Sequence, residues 1–170
     1  MLARDIRADF DVQFAYHKRY AHLINEFGFD TFQCDNFDAE VVLEQSKALS
    51  YRWLNQHDLE RILLSQIECI STVGPQMVVG DAAFTLKMAA EKCRVKMIGL
   101  INGNLSSNYA CMRSVPRCHF LYGYSEKLPE LVLNCLTHII ERVALPLAHA
   151  PFKAIRRQFC LQRTSTPFMS

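Results

Sequence analysis

The sequence predicts an α/β fold in which helices flank a parallel sheet. Two short apolar segments, QMVVG (76–80) and VKMIGLI (95–101), lack the alternation of a half-exposed strand. Such continuous apolar runs are typical of parallel strands that are covered on both faces. A segment with helical periodicity separates them, which is the order of a βαβ unit. These observations together indicate a doubly wound, parallel sheet.

The predicted elements alternate along the first hundred residues. In chain order they are a strand at 10–14, a short helix at 17–28, a strand at 29–34, a helix in two pieces from 38 to 74, a strand at 76–80, a helix at 82–93 and a strand at 95–101. Gly28 and the Gly74-Pro75 pair mark two of the helix ends, since glycine often follows a helix and proline cannot continue one.

The pattern of alternating strands and helices ends after residue 101. A polar loop is predicted first, then an amphipathic helix over 129–148, then a last helix that begins at Pro151. A chain of 170 residues is about one domain. We therefore predict one domain over 1–163, with its sheet part at about 8–104, its helical part at about 128–163, and a tail at 164–170.

Composition excludes several classes of protein. The formal net charge of +2 is too small to indicate nucleic-acid binding. The seven cysteines include no CxxC pair and match no zinc spacing, so we expect reduced thiols in a cytosolic protein and no metal. No apolar run reaches the roughly 18–20 residues of a membrane span.

Polar residues follow two of the predicted strands. Asp81 ends the strand at 76–80, and the strand at 95–101 leads into four amide and hydroxyl side chains, Asn102, Asn104, Ser106 and Ser107. In a doubly wound sheet, ligands bind beyond the carboxyl ends of the strands. If these two strands are adjacent, the residues form a polar rim suited to sugar hydroxyls or phosphate oxygens. His17, which follows the first strand, is a further candidate.

A second interpretation of Asp81 stays open. Aspartate is a preferred helix N-cap, so Asp81 is also predicted to cap the helix that follows it, and the two roles are compatible. The chain contains no GxGxxG, Walker or GxSxG motif, so no dinucleotide, P-loop or hydrolase site is indicated. The DFD at 9–11 matches the DxD pattern of some metal-dependent sugar transferases, but it lies at the start of a strand rather than at its end.

Three segments resemble the N-terminal domain of GT-B glycosyltransferases. MVVGDAAFTLKMAAEKCRVKMIGLINGN (77–104) is similar to the family's run of apolar strand, Asp, helix with paired Ala, and second apolar strand. VQFAYHKRYAHLINEFGF (12–29) resembles its second strand and following helix, and PLAHAPFKAIRRQFCL (146–161) resembles a proline-bounded helix with paired Arg. Bacterial nucleotide-sugar transferases of cell-wall and glycolipid synthesis are the most similar members.

The resemblance implies two Rossmann-like domains, an N-terminal one for the acceptor and a C-terminal one for the nucleotide-sugar donor, with no metal or other cofactor. It also implies that Asp81 orients a catalytic histidine. Since the family's N-terminal domain binds the acceptor, we expect the residues that follow the strands to bind it, namely Asn102, Asn104, Ser106, Ser107 and His17. We expect a lipid-linked acceptor if the helix at 131–148 and the basic residues after it rest on a membrane surface. The expected location is then cytoplasmic, or peripheral at the inner membrane face.

The first strand of that family, its Gly-rich loop and its histidine have no counterpart in the sequence, and neither does a donor domain. We therefore expect a partial GT-B domain that is inactive alone. Its strands at Val12 and Val78 then either pair directly or leave unpaired edges. Unpaired edges favour association with another chain, either a separately encoded donor domain or a second copy. The alternative is a non-catalytic α/β module that binds a partner.

Overall fold

The computed structural model describes residues 2–16, 21–47, 50, 52–81, 83, 85–100 and 149–161, with the isolated positions 123, 127–129, 132, 135–136 and 139. The elements with defined bounds are α1 (Leu2–Ile6), β1 (Gln13–Tyr16), α2 (Ala21–Asn25), β2 (Asp30–Gln33), α3 (Ala39–Lys47), α4 (Gln56–Val73), β3 (Met77–Asp81), α5 (Leu86–Cys93) and β4 (Lys96–Leu100). Residues 149–158 are also helical. The fold is therefore mixed α/β, as predicted.

The described strands form two separate parallel pairs rather than one sheet. β1 pairs with β2 in the register Gln13↔Asp30, and β3 pairs with β4 in the register Met77↔Lys96. Helices connect the strands within each pair, as parallel pairing requires. Of the two arrangements expected for the strands at Val12 and Val78, the described residues therefore adopt the one without direct pairing.

The two helical pieces predicted from 38 to 74 are α3 and α4, and each begins at a side-chain cap. Asp38 Oδ1 accepts a hydrogen bond from the Glu40 amide at 2.9 Å, and Asn55 Oδ1 accepts one from the Asp58 amide at 2.9 Å. α4 ends at Gly74, whose positive φ of 61° lets its amide bond to the Ile70 carbonyl. Gly74 is therefore the C-cap that the sequence indicated.

The core lies where α4, α5 and the 149–158 helix meet. Leu59 and Leu63 on α4, Ala89 on α5 and Ile155 on the 149–158 helix are fully buried. Val78 of β3 packs against the same cluster. Since the apolar faces of all three helices and one face of β3–β4 are directed here, this cluster supplies the main hydrophobic stabilisation of the described residues.

The other face of the β3–β4 pair carries apolar side chains that are partly exposed. Val79 and Ile98 are register partners on this face, and each is about 45% exposed; Met77 and Leu100 beside them are 40% exposed. Our expectation of strands covered on both faces is therefore wrong for this pair. One face packs on α4 and α5, and the other presents apolar side chains to solvent.

The 149–158 helix is held to α5 and α4 by polar contacts at its edges. Arg156 Nη2 pairs with Glu91 Oε2 at 2.5 Å, and Lys92 Nζ donates to the Phe159 carbonyl at 3.2 Å. The sequence predicted that this helix begins at Pro151. The chain is already helical at residue 149, so that prediction is wrong by at least two residues.

Candidate functional site

The candidate site is the carboxyl end of the β3–β4 pair. Asp81 is the last residue of β3, its side chain is exposed, and its register partner is Leu100, the last residue of β4. The strands are adjacent and parallel, so both end at the same edge. This was the condition under which Asp81 and the loop after β4 were predicted to be neighbours.

The other predicted site residues lie outside the described part of the chain. They are His17, which directly follows β1, and Asn102, Asn104, Ser106 and Ser107, which follow β4. Of the six candidate residues, Asp81 alone therefore has a described position, and the polar rim around it stays a prediction.

Asp81 does not cap α5. The helix begins at Leu86 with Thr85 at the N-cap position, four residues after Asp81, so the capping half of our prediction is wrong. Thr85 makes no side-chain cap bond either, because its hydroxyl donates to Gln66 Oε1 on α4 at 2.7 Å. Thr85 is almost fully buried, and its hydroxyl therefore joins α4 to the start of α5.

Two side chains lie close to Gly80, the residue before Asp81. Gly80 is buried beneath the turn that follows β3, and a Cβ at Gly80 would lie 2.6 Å from Leu86 Cδ2 and 3.1 Å from Ala83 Cβ. Only glycine fits there without displacing Leu86. Ala83 and Leu86 therefore lie close over Gly80, whereas the next side chain along the strand, that of Asp81, is exposed.

An exposed carboxylate at this edge suits two kinds of contact. It accepts hydrogen bonds from hydroxyl groups of a ligand, and it orients and stabilises a protonated imidazole if one is brought to it. Among the described residues, no group of three or more His, Cys, Asp or Glu side chains is arranged to hold a metal ion.

A concave region lies at the amino ends of the other strand pair. A cavity of about 440 Å³ is lined by residues 7–12 and 28–30, at the amino ends of β1 and β2. Arg7 is engaged there, since its Nη2 donates to the Gly28 carbonyl at 3.1 Å and its guanidinium lies over the Phe29 ring. The sequence pointed to the DFD at 9–11, but it did not predict that β2 would complete a cavity around it.

Sequence reasoning also missed a contact between two thiols. Cys34 directly follows β2 and contacts Ser65 Oγ on α4 at 3.7 Å, and Cys69 on α4 contacts the Gln33 carbonyl at 3.4 Å, so the two residues meet at one contact although 35 positions separate them. No spacing motif marks such a pair. The five cysteines among the described residues, Cys34, Cys69, Cys93, Cys135 and Cys160, are free thiols, as predicted.

Comparison with known proteins assigns no family to the chain. No protein-family model, curated protein or solved structure matches the chain. Within the described residues, no helix is both long enough and apolar enough to cross a bilayer.

Proposed function

We propose that the chain is the acceptor-binding part of a GT-B glycosyltransferase, which transfers a sugar from a nucleotide-sugar donor to a hydroxyl acceptor. The observation that supports this proposal best is the position of Asp81. It is an exposed carboxylate at the carboxyl end of a parallel strand, next to the strand that leads into Asn102 and Asn104. Carboxyl ends of parallel strands are the usual place for ligands in α/β folds.

In the proposed reaction, a histidine removes the proton of the acceptor hydroxyl while that oxygen attacks the anomeric carbon of the donor sugar. The bond from that carbon to the phosphate oxygen breaks, and the nucleotide leaves with the electron pair. Asp81 then acts on the histidine, because a carboxylate fixes the imidazole tautomer and stabilises the imidazolium that forms. The amides of Asn102 and Asn104 and the hydroxyls of Ser106 and Ser107 bind the hydroxyls of the acceptor. His17 is proposed to bind the acceptor beside them.

The nucleotide-sugar donor is proposed to bind a separate domain, and no metal or other cofactor is invoked. A lipid-linked acceptor is compatible with the basic residues of the 149–158 helix, where Lys153 and Arg157 are exposed one turn apart. Arg156 does not belong to that surface, because its side chain is only 12% exposed and pairs with Glu91. The proposed location is cytoplasmic, at the inner membrane face.

Acceptor binding by the purified chain tests the proposal. A panel of short alkyl glycosides and an isoprenyl-phosphate-linked sugar would be screened by saturation-transfer NMR. Asp81→Asn should weaken binding of the best acceptor by about tenfold or more, since a hydrogen bond to a charged group contributes roughly 1.5–3 kcal/mol. Asp11→Asn, at the amino end of β1, is the matched control and should bind normally. Equal binding by both variants, or no binding across the panel, would contradict the proposal.

One observation favours a second candidate, a non-catalytic module that associates with another copy of itself. The exposed face formed by Met77, Val79, Ile98 and Leu100 is apolar, and contiguous apolar faces of this kind mark interaction surfaces. Sedimentation velocity over a range of concentrations tests it. Association that Val79→Lys abolishes, and that Leu64→Lys on the exposed side of α4 leaves unchanged, would support this candidate. A monomer at every concentration would exclude it.

A further inference from the structure

Two thiols meet where β2 ends against α4. Cys34 directly follows β2, is 8% exposed, and its amide donates to the Tyr16 carbonyl of β1 at 2.9 Å. Cys69 is half-buried on α4, and its Sγ donates to the Gln33 carbonyl at 3.4 Å. The two thiols therefore lie at the same contact, between the end of β2 and α4.

Ser65, one helical turn before Cys69, contacts the same strand end. Its Oγ lies 3.7 Å from Cys34 Sγ as a donor and accepts a hydrogen bond from the Asp35 amide at 3.0 Å. Ser65 and Cys69 are four residues apart, so they lie on one side of the helix. Cys69 Sγ donates to the carbonyl of Gln33, the residue before Cys34, and Cys34 Sγ accepts from Ser65, one turn before Cys69, so the two thiols lie at the same contact. The contact is thus fixed by several bonds on both sides of the sulfur pair.

The surroundings keep the Cys69 thiol protonated at neutral pH. Burial raises the pKa of Cys69 to about 12, and Cys34, Glu68 and Asp35 add to the shift. Asp35 is itself paired with Arg61 at 2.6 Å. Because the thiolate is the reactive form, Cys69 reacts slowly at neutral pH and increasingly fast as the pH rises.

We propose that Cys34 and Cys69 are a redox-modification site, which a small disulfide oxidant such as oxidised glutathione converts to an intramolecular disulfide. The more exposed Cys69 loses its proton to solvent and attacks one sulfur of the oxidant, which releases one glutathione thiolate and forms a mixed disulfide. Cys34 loses its proton and attacks Cys69 Sγ, which releases the second glutathione. Two protein thiols are oxidised, and one oxidant disulfide is reduced to two thiols.

The product would join the end of β2 covalently to α4 across residues 34–69. Cys93 provides a contrast on the opposite side of α4, since its Sγ contacts the Ile67 carbonyl and Ser71 Oγ, each at 3.9 Å, rather than a second thiol. Oxidised glutathione should therefore leave Cys93 unmodified or as a mixed disulfide, whereas Cys34 and Cys69 should be joined to each other.

Peptide mapping of the oxidised native chain tests the proposal. Trypsin places Cys34 alone in peptide 20–47 and Cys69 alone in peptide 62–87, so their disulfide is a unique cross-linked product. After incubation with oxidised glutathione, acid quenching and alkylation, this product should be the main intramolecular disulfide. In urea the preference should disappear, because the folded contact is lost. Another main disulfide in the native chain, or Cys34 and Cys69 found only as free or glutathione-bound residues, would overturn the proposal.

The rate of cross-linking identifies the attacking thiol. With Cys69 as the first nucleophile, the rate should rise about tenfold per pH unit from pH 7 to 10, because the thiolate fraction does so below the pKa. A rate that levels off near pH 8.5, the ordinary cysteine range, would overturn the role given to Cys69. Cys69→Ser should abolish the cross-linked product, whereas Cys93→Ser should leave its rate unchanged.

Discussion

Gly80 and Asp81 are adjacent, and each has a distinct part in forming the candidate site. Gly80 is buried under Leu86 and Ala83, which brings the turn after β3 close to the sheet. Asp81 then stands in solvent at the strand end. Asp81 is held at this edge by its pairing with Leu100, and Gly80 leaves room for Leu86 and Ala83 on the buried face beside it.

Replacement of Gly80 by alanine should destabilise the fold. The new Cβ would meet Leu86 Cδ2 at 2.6 Å, and overpacking of this kind costs about 1–3 kcal/mol. Gly99 is its register partner on β4 and a matched control, since the nearest atom to a Cβ there is 4.0 Å away. Gly99→Ala should be neutral or stabilising, because glycine weakens strands. Urea unfolding of both variants measures the difference, and equal midpoints would contradict this account of the turn.

The place of Asp81 could be predicted from sequence, but its relation to α5 could not. An apolar run followed by a polar residue locates the end of a strand, and Asp81 does end β3. N-cap preference only names suitable residue types, and Asp81 and Thr85 both qualify. The start of α5 was decided by packing instead, since the buried Thr85 hydroxyl bonds to Gln66 across the α4–α5 contact.

At the scale of elements, α4 organises the described structure. One side of it receives the end of β2 through Ser65 and Cys69, and its buried residues Leu59 and Leu63 join the core with α5 and the 149–158 helix. Its C-terminal end was predictable because the C-cap signal at Gly74 is local in sequence, whereas its start at Gln56 was not predicted. Its contacts with Cys34 were not predictable, because they join residues far apart in the chain.

The ion pair between Arg156 and Glu91 should stabilise the attachment of the 149–158 helix. Arg156 is 12% exposed and Glu91 29%, so Arg156→Ala leaves a partly buried carboxylate without this partner. We expect a loss of about 1–2 kcal/mol, below the 3–5 kcal/mol of fully buried pairs because solvent still screens Glu91. Arg157→Ala, at an exposed neighbouring position, should change stability by less than about 0.5 kcal/mol. Thermal unfolding of the two variants compares them, and similar losses would refute a specific role for the pair.

At the scale of the whole molecule, the two parallel strand pairs among the described residues contact a shared helix, α4, and are not paired with each other. Apolar strands in the sequence predicted parallel pairing, and both described pairs are parallel. The same pattern predicted cover on both faces, yet Val79 and Ile98 remain nearly half exposed. Apolar composition shows that a strand can be buried, but the element that covers it is set by tertiary packing.

The carboxyl end of β3–β4 and the cavity at the amino ends of β1 and β2 are competing candidates for the ligand site. One measurement distinguishes them. ¹⁵N-labelled protein would be titrated with the glycoside that binds best, and amide shifts would be followed by NMR. Binding at the candidate site predicts the largest shifts at Gly80, Asp81 and Leu100 and in the residues that follow β4. Shifts confined to residues 7–12 and 28–30, around the cavity at the amino ends of β1 and β2, would contradict the assignment of Asp81 to the acceptor site.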